Sequence, residues 1–285
     1  MKTKNIISMN DLSKEEIEQL LTRADELKEQ HAPKNGKTAA LLFNRPSTRT
    51  HVSFDVALQH MGYNSIYLDY VFTQMVRGEQ IKDSAKAISQ YVQLIIARLV
   101  PHTMLDEFVR ASEVPVINAG SDVEHPCQAL GDLYTIKQAG KLKPGNLIVF
   151  VGDPTDAVAN SLAIGALKLG LKFTYSAPKG YEARNKKTVI SNDLHVVKNA
   201  AIVYTNAWAR EREGQDPKLV RDLLPYQVNK ELLKHAPDAL VMHPLPASRG
   251  LEITDDALDS KNSVVWKQVK NRLYVQKAVI EMLEK

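Results

Sequence analysis

Five consecutive residues, Ser47-Thr48-Arg49-Thr50-His51, gather three hydroxyls, a guanidinium and an imidazole in little more than one helical turn. Phe54, Ala57, Leu58 and Met61 then recur at the i, i+3, i+4, i+7 spacing of an amphipathic helix. The cluster therefore falls at a helix N-terminus, with Ser47 or Thr48 as the expected N-cap. Backbone N–H groups are unpaired there and the helix dipole is positive, so the donors suit a tetrahedral, multiply charged oxyanion. A capped helix with Arg49 in solvent is the plainer explanation of the pentapeptide alone. Other positions add to it. Arg98 closes the apolar run Leu94-Ile95-Ile96-Ala97, and Glu124-His125-Pro126-Cys127-Gln128 follows another at residues 115–118. His125 can give a proton or a hydrogen bond near neutrality. Cys127, in apolar sequence, reads as packing rather than as a nucleophile.

The elements around these residues alternate. Ser13 and Glu16 have capping-box spacing, and the apolar face of Ile17, Leu20, Leu21, Ala24 and Leu27 predicts a helix to about residue 30. Strands are expected at 39–43, 65–68, 94–97 and 115–118, with helices at 81–91, 104–111 and 128–138. Residues 139–145 read as an interdomain joint. A second alternation has strands at 147–151, 173–176, 201–205 and 240–242 and a helix at about 157–169. A last helix, about 269–283, carries Arg272. Strand–helix alternation predicts an α/β fold of parallel sheets with right-handed crossovers, in which ligands gather at the C-terminal strand ends. Ser47 to Thr50, Arg98 and His125 to Gln128 all fall at such ends.

Composition narrows the function. The 285 residues suffice for two domains; hydrophobic residues make up 44% and charged residues 25%, as in a globular protein. A net charge of +4 without a dense basic block gives nucleic-acid or membrane-surface binding little support. The apolar run after the first residues stops by Asn10-Asp11, and no run approaches a membrane span, so a cytoplasmic protein is expected. One cysteine excludes an internal disulfide, and scattered histidines argue against a metal site. Gly36-Lys37-Thr38 lacks the earlier glycine of a phosphate-binding loop, and Gly152-Asp153-Pro154 lacks the glycines of a dinucleotide site.

In order and spacing, Ser47-Thr48-Arg49-Thr50, Arg98, His125-Pro126-Cys127-Gln128, His243-Pro244-Leu245-Pro246 and Asn271-Arg272-Leu273 resemble the aspartate/ornithine carbamoyltransferase family over almost the whole chain, with the ornithine branch nearest. The resemblance implies two α/β domains, each a parallel sheet flanked by helices. Residues 1–138 would bind carbamoyl phosphate, residues 145–268 the amine acceptor, and the C-terminal helix (269–285) would pack back on the first domain. It also implies a homotrimer in which Gln74 is lent to a neighbour's site, and no metal or cofactor. Ser47, Thr48, Arg49, Thr50, Gln74 and Arg272 would hold the phosphoryl group. Thr50, Arg98 and His125 would point donors at the carbamoyl oxygen. Gln128 and the carbonyls around Pro244 and Leu245 would orient the carbamoyl NH2.

The acceptor half departs from the ornithine pattern. The Asn-Asn pair expected in one loop is Asp156-Ala157, the Asp expected to grip an α-amino group is Asn206, and Arg210-Glu211-Arg212 replace a Ser-Met-Gly loop. Pro244 stands where the ornithine enzymes carry Cys, and His51 where an Arg is usual. The acceptor-binding candidates are therefore Asp156, Ala157, Asn206, Arg210 and Glu211. L-Ornithine is the expected acceptor; another amine or amino acid such as aspartate, or a non-catalytic relative that only binds carbamoyl phosphate, is the alternative. Restoring Asp at position 206 is expected to improve ornithine use.

Overall fold

The computed structural model describes residues 5–208 and 217–284. The chain divides into unit 1, Met1–Gly131 with Asn271–Lys285, and unit 2, Asp132–Lys270.

Unit 1 contains α1 (Lys14–Glu26), β1 (Thr38–Phe43), α2 (Thr48–His60), β2 (Asn64–Asp69), α3 (Ile81–Ser89), β3 (Leu94–Arg98), α4 (His102–Ala111), β4 (Val116–Asn118) and the start of α5 (Pro126–Gln138). The four strands are parallel in the order β2-β1-β3-β4. Ala39 to Phe43 and Leu94 to Ala97 are all buried, as strands covered on both faces require. Each large side chain among them contributes about 1.5–3 kcal/mol by leaving water. The chain enters this sheet at β1, goes out to β2, then crosses to β3, so its direction reverses between β1 and β3. Asn44 spans that point: its N–H donates to the Arg98 carbonyl at 3.0 Å, and its side chain exchanges hydrogen bonds with the backbone of Val100.

Two boundaries differ from the sequence expectation. The Ser13–Glu16 capping box forms, but α1 stops at Glu26 rather than near residue 30. The chain turns its Leu27 and Gln30 carbonyls onto the buried ammonium of Lys277 instead of continuing the ladder. The last helix, α10 (Val265–Glu284), starts four residues earlier than position 269. Its C-terminal part packs on unit 1 through Lys277, through Gln276 Nε2 donating to Ser53 Oγ at 2.9 Å, and through Glu281 paired with Arg23.

Unit 2 holds β5 (Leu147–Val151), α6 (Ala157–Lys168), β6 (Lys172–Ser176), β7 (Val189–Ser191), β8 (Ile202–Tyr204), α7 (Pro217–Leu223), α8 (Lys230–Leu233), β9 (Leu240–Met242) and α9 (Asp255–Leu258). Its parallel strands run β7-β6-β5-β8-β9, and the order again reverses, here between β5 and β8. Register aligns Phe150 with Tyr175 and with Tyr204, giving a row of three rings on one face. Tyr204 donates to Asp132 Oδ2 at 2.8 Å, and Gln268 Nε2 donates to Asp132 Oδ1 at 2.7 Å, so these buried polar groups are satisfied.

Candidate active site

Ser47 is the N-cap of α2, as expected, but its hydroxyl makes no capping bond. The cap therefore leaves Ser47 Oγ for another partner, and Thr48, Arg49 and Thr50 form the first turn. Thr50 is buried, and its Oγ1 accepts from Arg272 Nη2 at 2.7 Å. A hydroxyl that accepts from a guanidinium keeps its own O–H to donate. Arg272 reaches this turn because Gly131 of α5 carries no side chain; a Cβ there would meet the Arg272 Cγ at 3.2 Å.

Arg98 ends β3 beside the loop that follows β4. Its Nη1 donates to the Ala119 carbonyl at 3.1 Å. Gly120 comes next, at φ +121°, where a Cβ would lie 2.2 Å from Arg98 Nη1 and 3.0 Å from the His125 ring. Arg98 and His125 thus converge on one spot that only a glycine leaves open. His125 is buried, and burial first, then the Arg272 and Arg98 charges, hold its pKa well below the usual imidazole value. It is held as a neutral ring by burial and by two guanidinium charges, and so is suited to giving a hydrogen bond rather than a proton. Pro126 occupies the first position of α5, where a missing N–H costs nothing, and Gln128 is buried one turn in. Cys127 is buried too, its thiol pushed up to about 12, which excludes a thiolate nucleophile near neutrality.

A strap missed in the sequence steadies this loop. Ile6 pairs with β4, its N–H donating to Val116 O at 3.0 Å. The buried Glu124 carboxylate accepts the Ser8 hydroxyl and the Met9 N–H, and Asn118 Nδ2 donates to the Ile7 carbonyl at 2.8 Å. Asn118 Oδ1 also receives the Gly120 N–H at 2.8 Å. Gln74 is exposed on the short 3-10 turn Gln74–Arg77.

In unit 2, Asp156 caps α6, its Oδ1 accepting the Val158 and Ala159 N–H groups at 2.9 Å each. Asn206, after β8, donates Nδ2 to Asp156 Oδ2 at 2.9 Å. Ala157 offers only a methyl group. Arg210 and Glu211 lie outside the described residues. Arg184, not singled out from the sequence, donates Nε to the Thr155 carbonyl at 2.9 Å and brings a guanidinium to the same turn. Gly152 is explained by packing: a Cβ there would meet the Trp208 ring at 3.0 Å. His243 is fully buried; its Nδ1 accepts the Leu245 N–H at 2.9 Å, which leaves Nε2–H to face Glu252 at 3.2 Å. Leu245 sits at φ +52°, and Pro244 beside it is buried. Among the described residues there is no group of three His, Cys, Asp or Glu side chains fit for a metal ion, and no helix long and apolar enough to cross a membrane.

Comparison with known proteins adds the chain's relationships. The profile described as the carbamoyl-P binding domain of aspartate/ornithine carbamoyltransferase matches residues 4–138. The one described as the Asp/Orn binding domain matches residues 145–283. A protein named ornithine carbamoyltransferase from Pyrococcus abyssi is 40% identical, over 99% of this chain and 96% of its own length. The solved structure of ornithine carbamoyltransferase from Pyrococcus furiosus superposes with a TM-score of 0.91 at 40% identity, covering 99% of this chain and 97% of that one. The enzyme of that name from Thermus thermophilus gives 0.91 at 35% identity, covering 99% of each chain. Since both halves are matched and the likeness runs nearly from end to end, the chain belongs to the aspartate/ornithine carbamoyltransferase family.

Proposed function

We propose that this protein transfers the carbamoyl group of carbamoyl phosphate to an amino group of L-ornithine, giving citrulline and phosphate. The observation that carries the reading is a pair of arrangements in unit 1: Arg98 beside neutral His125 at Gly120, and Arg272 bonded to Thr50 with its charge acting on His125. Ornithine as acceptor is supported by the names of the relatives at 40% identity. In this reading Ser47, Thr48, Arg49, Thr50 and Arg272 hold the phosphoryl oxygens. Arg98, His125 and Thr50 donate to the carbamoyl oxygen as the neutral amine attacks its carbon, and Gln128, with the Pro244 and Leu245 carbonyls, orients the carbamoyl NH2. The new C–N bond forms, the C–O bond to phosphate breaks, and the proton lost by nitrogen goes to the departing phosphate. Each preorganised donor aimed at the growing negative charge is worth about 3 kcal/mol. Unit 2 takes the acceptor, and the reaction calls for no metal or organic cofactor.

The same reading makes the protein a cytoplasmic homotrimer with shared sites. The assembly has its support in an apolar surface on unit 1: Val52, Ile66, Val71, Phe72 and Val76 are exposed, Phe72 to 88%, on or near edge strand β2. Gln74 is exposed on the same stretch, where it could serve a neighbour. Phe72→Glu should convert a trimer to monomers in analytical ultracentrifugation; a wild type that sediments as a monomer refutes the assembly. Phosphate release from carbamoyl phosphate, measured with ornithine, aspartate and other amines in turn, tests the reaction. Release with ornithine is the expected result, release only with another amine moves the acceptor, and no release with any amine refutes the transfer.

A further inference from the structure

The loop after β9 is held by buried polar groups that packing alone does not call for. His243 and Glu252 are both fully buried. Glu252 Oε1 takes two donors, the Ser248 N–H and His243 Nε2, the latter at 3.2 Å. Its Oε2 is buried with no hydrogen-bond partner among the described residues. A buried carboxylate left half satisfied costs stability, and an amide or apolar side chain would fill the space at lower free energy. The main chain there has its own anchor, the Val228 N–H donating to the Glu252 carbonyl at 2.9 Å. The carboxylate therefore calls for a role other than folding.

That role follows from what a carboxylate cannot do. It accepts and never donates, so the ring nitrogen facing it must carry the proton. His243 is then the Nε2–H tautomer, and its bare Nδ1 accepts the Leu245 N–H at 2.9 Å. The ring has a fixed base, because the His243 N–H donates to Gln268 Oε1 at 3.1 Å. In a trans peptide the N–H and the preceding C=O lie in one plane and point in opposite directions. Fixing the Leu245 N–H thus fixes the Pro244 carbonyl, aimed away from the imidazole. Leu245 itself stands at φ +52°, a left-handed conformation that a residue with a side chain keeps only when its surroundings hold it there.

We infer that Glu252 and His243 are positioning residues: the carboxylate sets the imidazole tautomer, and the imidazole sets the Pro244 carbonyl that receives the carbamoyl NH2. The inference rests on the proposed carbamoyl transfer and adds the feature that tells a carbamoyl group from an acyl group of the same shape. Acetyl phosphate carries a methyl group where carbamoyl phosphate carries NH2. A methyl group has no proton to give the carbonyl, so its binding should be indifferent to the pair.

Glu252→Gln tests this, because it keeps the size of the side chain but can donate as well as accept. An amide donating to Nε2 moves the ring proton to Nδ1, where it opposes the Leu245 N–H. Melting should be unchanged or raised. The affinity for carbamoyl phosphate, read by calorimetry, and kcat/KM for it with ornithine saturating should both fall about 10- to 100-fold, as for a group displaced by about 1 Å. The affinity for acetyl phosphate should stay that of the wild type. Wild-type affinity for carbamoyl phosphate in Glu252→Gln, or an equal loss for acetyl phosphate, overturns the inference. Should the variant not fold, nitrogen NMR on the histidine-labelled wild type decides instead. A coupling across the hydrogen bond to the Leu245 amide nitrogen should identify a bare His243 Nδ1; a proton on that nitrogen overturns the inference. If the wild type releases no phosphate with any amine, the proposed reaction fails, and the two affinities of Glu252→Gln still decide this inference. Equal turnover of ornithine by wild type and Glu252→Gln upholds the reaction and sinks the inference.

Discussion

Replacing Gly120 with Ala isolates the geometry of Arg98 and His125, the proposed donors to the carbamoyl oxygen. The new Cβ would stand 2.2 Å from Arg98 Nη1. Ordinary contact needs about 3.5 Å, so the guanidinium must retreat by roughly 1.3 Å. That atom ends a flexible side chain, so the retreat itself is cheap for folding. It is not cheap for catalysis, since misplacing a catalytic group by about 1 Å can cost 10²-fold. The backbone adds its own penalty, because φ +121° suits few side chains and costs about 1–3 kcal/mol. Expected, then, are a kcat lowered about 100-fold and a melting temperature lowered by several degrees. Gly140→Ala is the control: φ is +71° there, but nothing lies within 4 Å of the added carbon. It should lose a similar amount of stability and keep its kcat. Phosphate-release kinetics and thermal melts on both variants decide the matter. A Gly120→Ala enzyme with wild-type kcat, or one matched in its loss by Gly140→Ala, refutes the claim that Arg98 must stand where the glycine lets it.

His125 should keep the nitrogen chemical shifts of a neutral ring through pH 6.5, because burial and two guanidinium groups depress its folded pKa; a titration midpoint at or above 6.5 contradicts this. The linked stability is fully present above the unfolded value of about 6.5 and is lost as pH falls from there towards the folded pKa, so urea-derived unfolding free energy should decline in that window. Lys277→Met removes the ammonium that holds the Leu27 and Gln30 carbonyls and should cost about 1–3 kcal/mol in urea denaturation; an unchanged midpoint would show those carbonyls content without it.

The strands Ala39 to Phe43, Leu94 to Ala97 and Leu147 to Val151 were legible because chains buried on both faces spell continuous apolar runs. Helix α2 was legible because its face repeats with the helical period. Strand β7 and helices α7 to α9 were not expected from the sequence, being three to seven residues long, too short for a period to declare itself. The C-terminal end of α1 is decided by Lys277, 250 positions along the chain, which no local pattern encodes. The same division runs through the site. Ser47 to Thr50, Arg98, His125 and Arg272 stand out because their chemistry is unusual in its setting. Gly120, Asn118 and Glu124 act by yielding space or holding a loop, and a lone glycine or a buried carboxylate carries no mark of that in one sequence. Asp156 and Asn206 were each noticed, but as separate departures; only the 2.9 Å contact makes them one unit.

The two residues joined at Thr50 and Arg272 are separated by 222 positions, and those joined at Ser8 and Glu124 by 116. A ribosome making this protein therefore lays down the anion cup early and must add nearly everything else before its closing guanidinium exists. Nascent chains halted in unit 2 would hold β1 and α2 without the guanidinium that reaches Thr50. On the proposed reading, the cup would be complete only once Arg272 has been made.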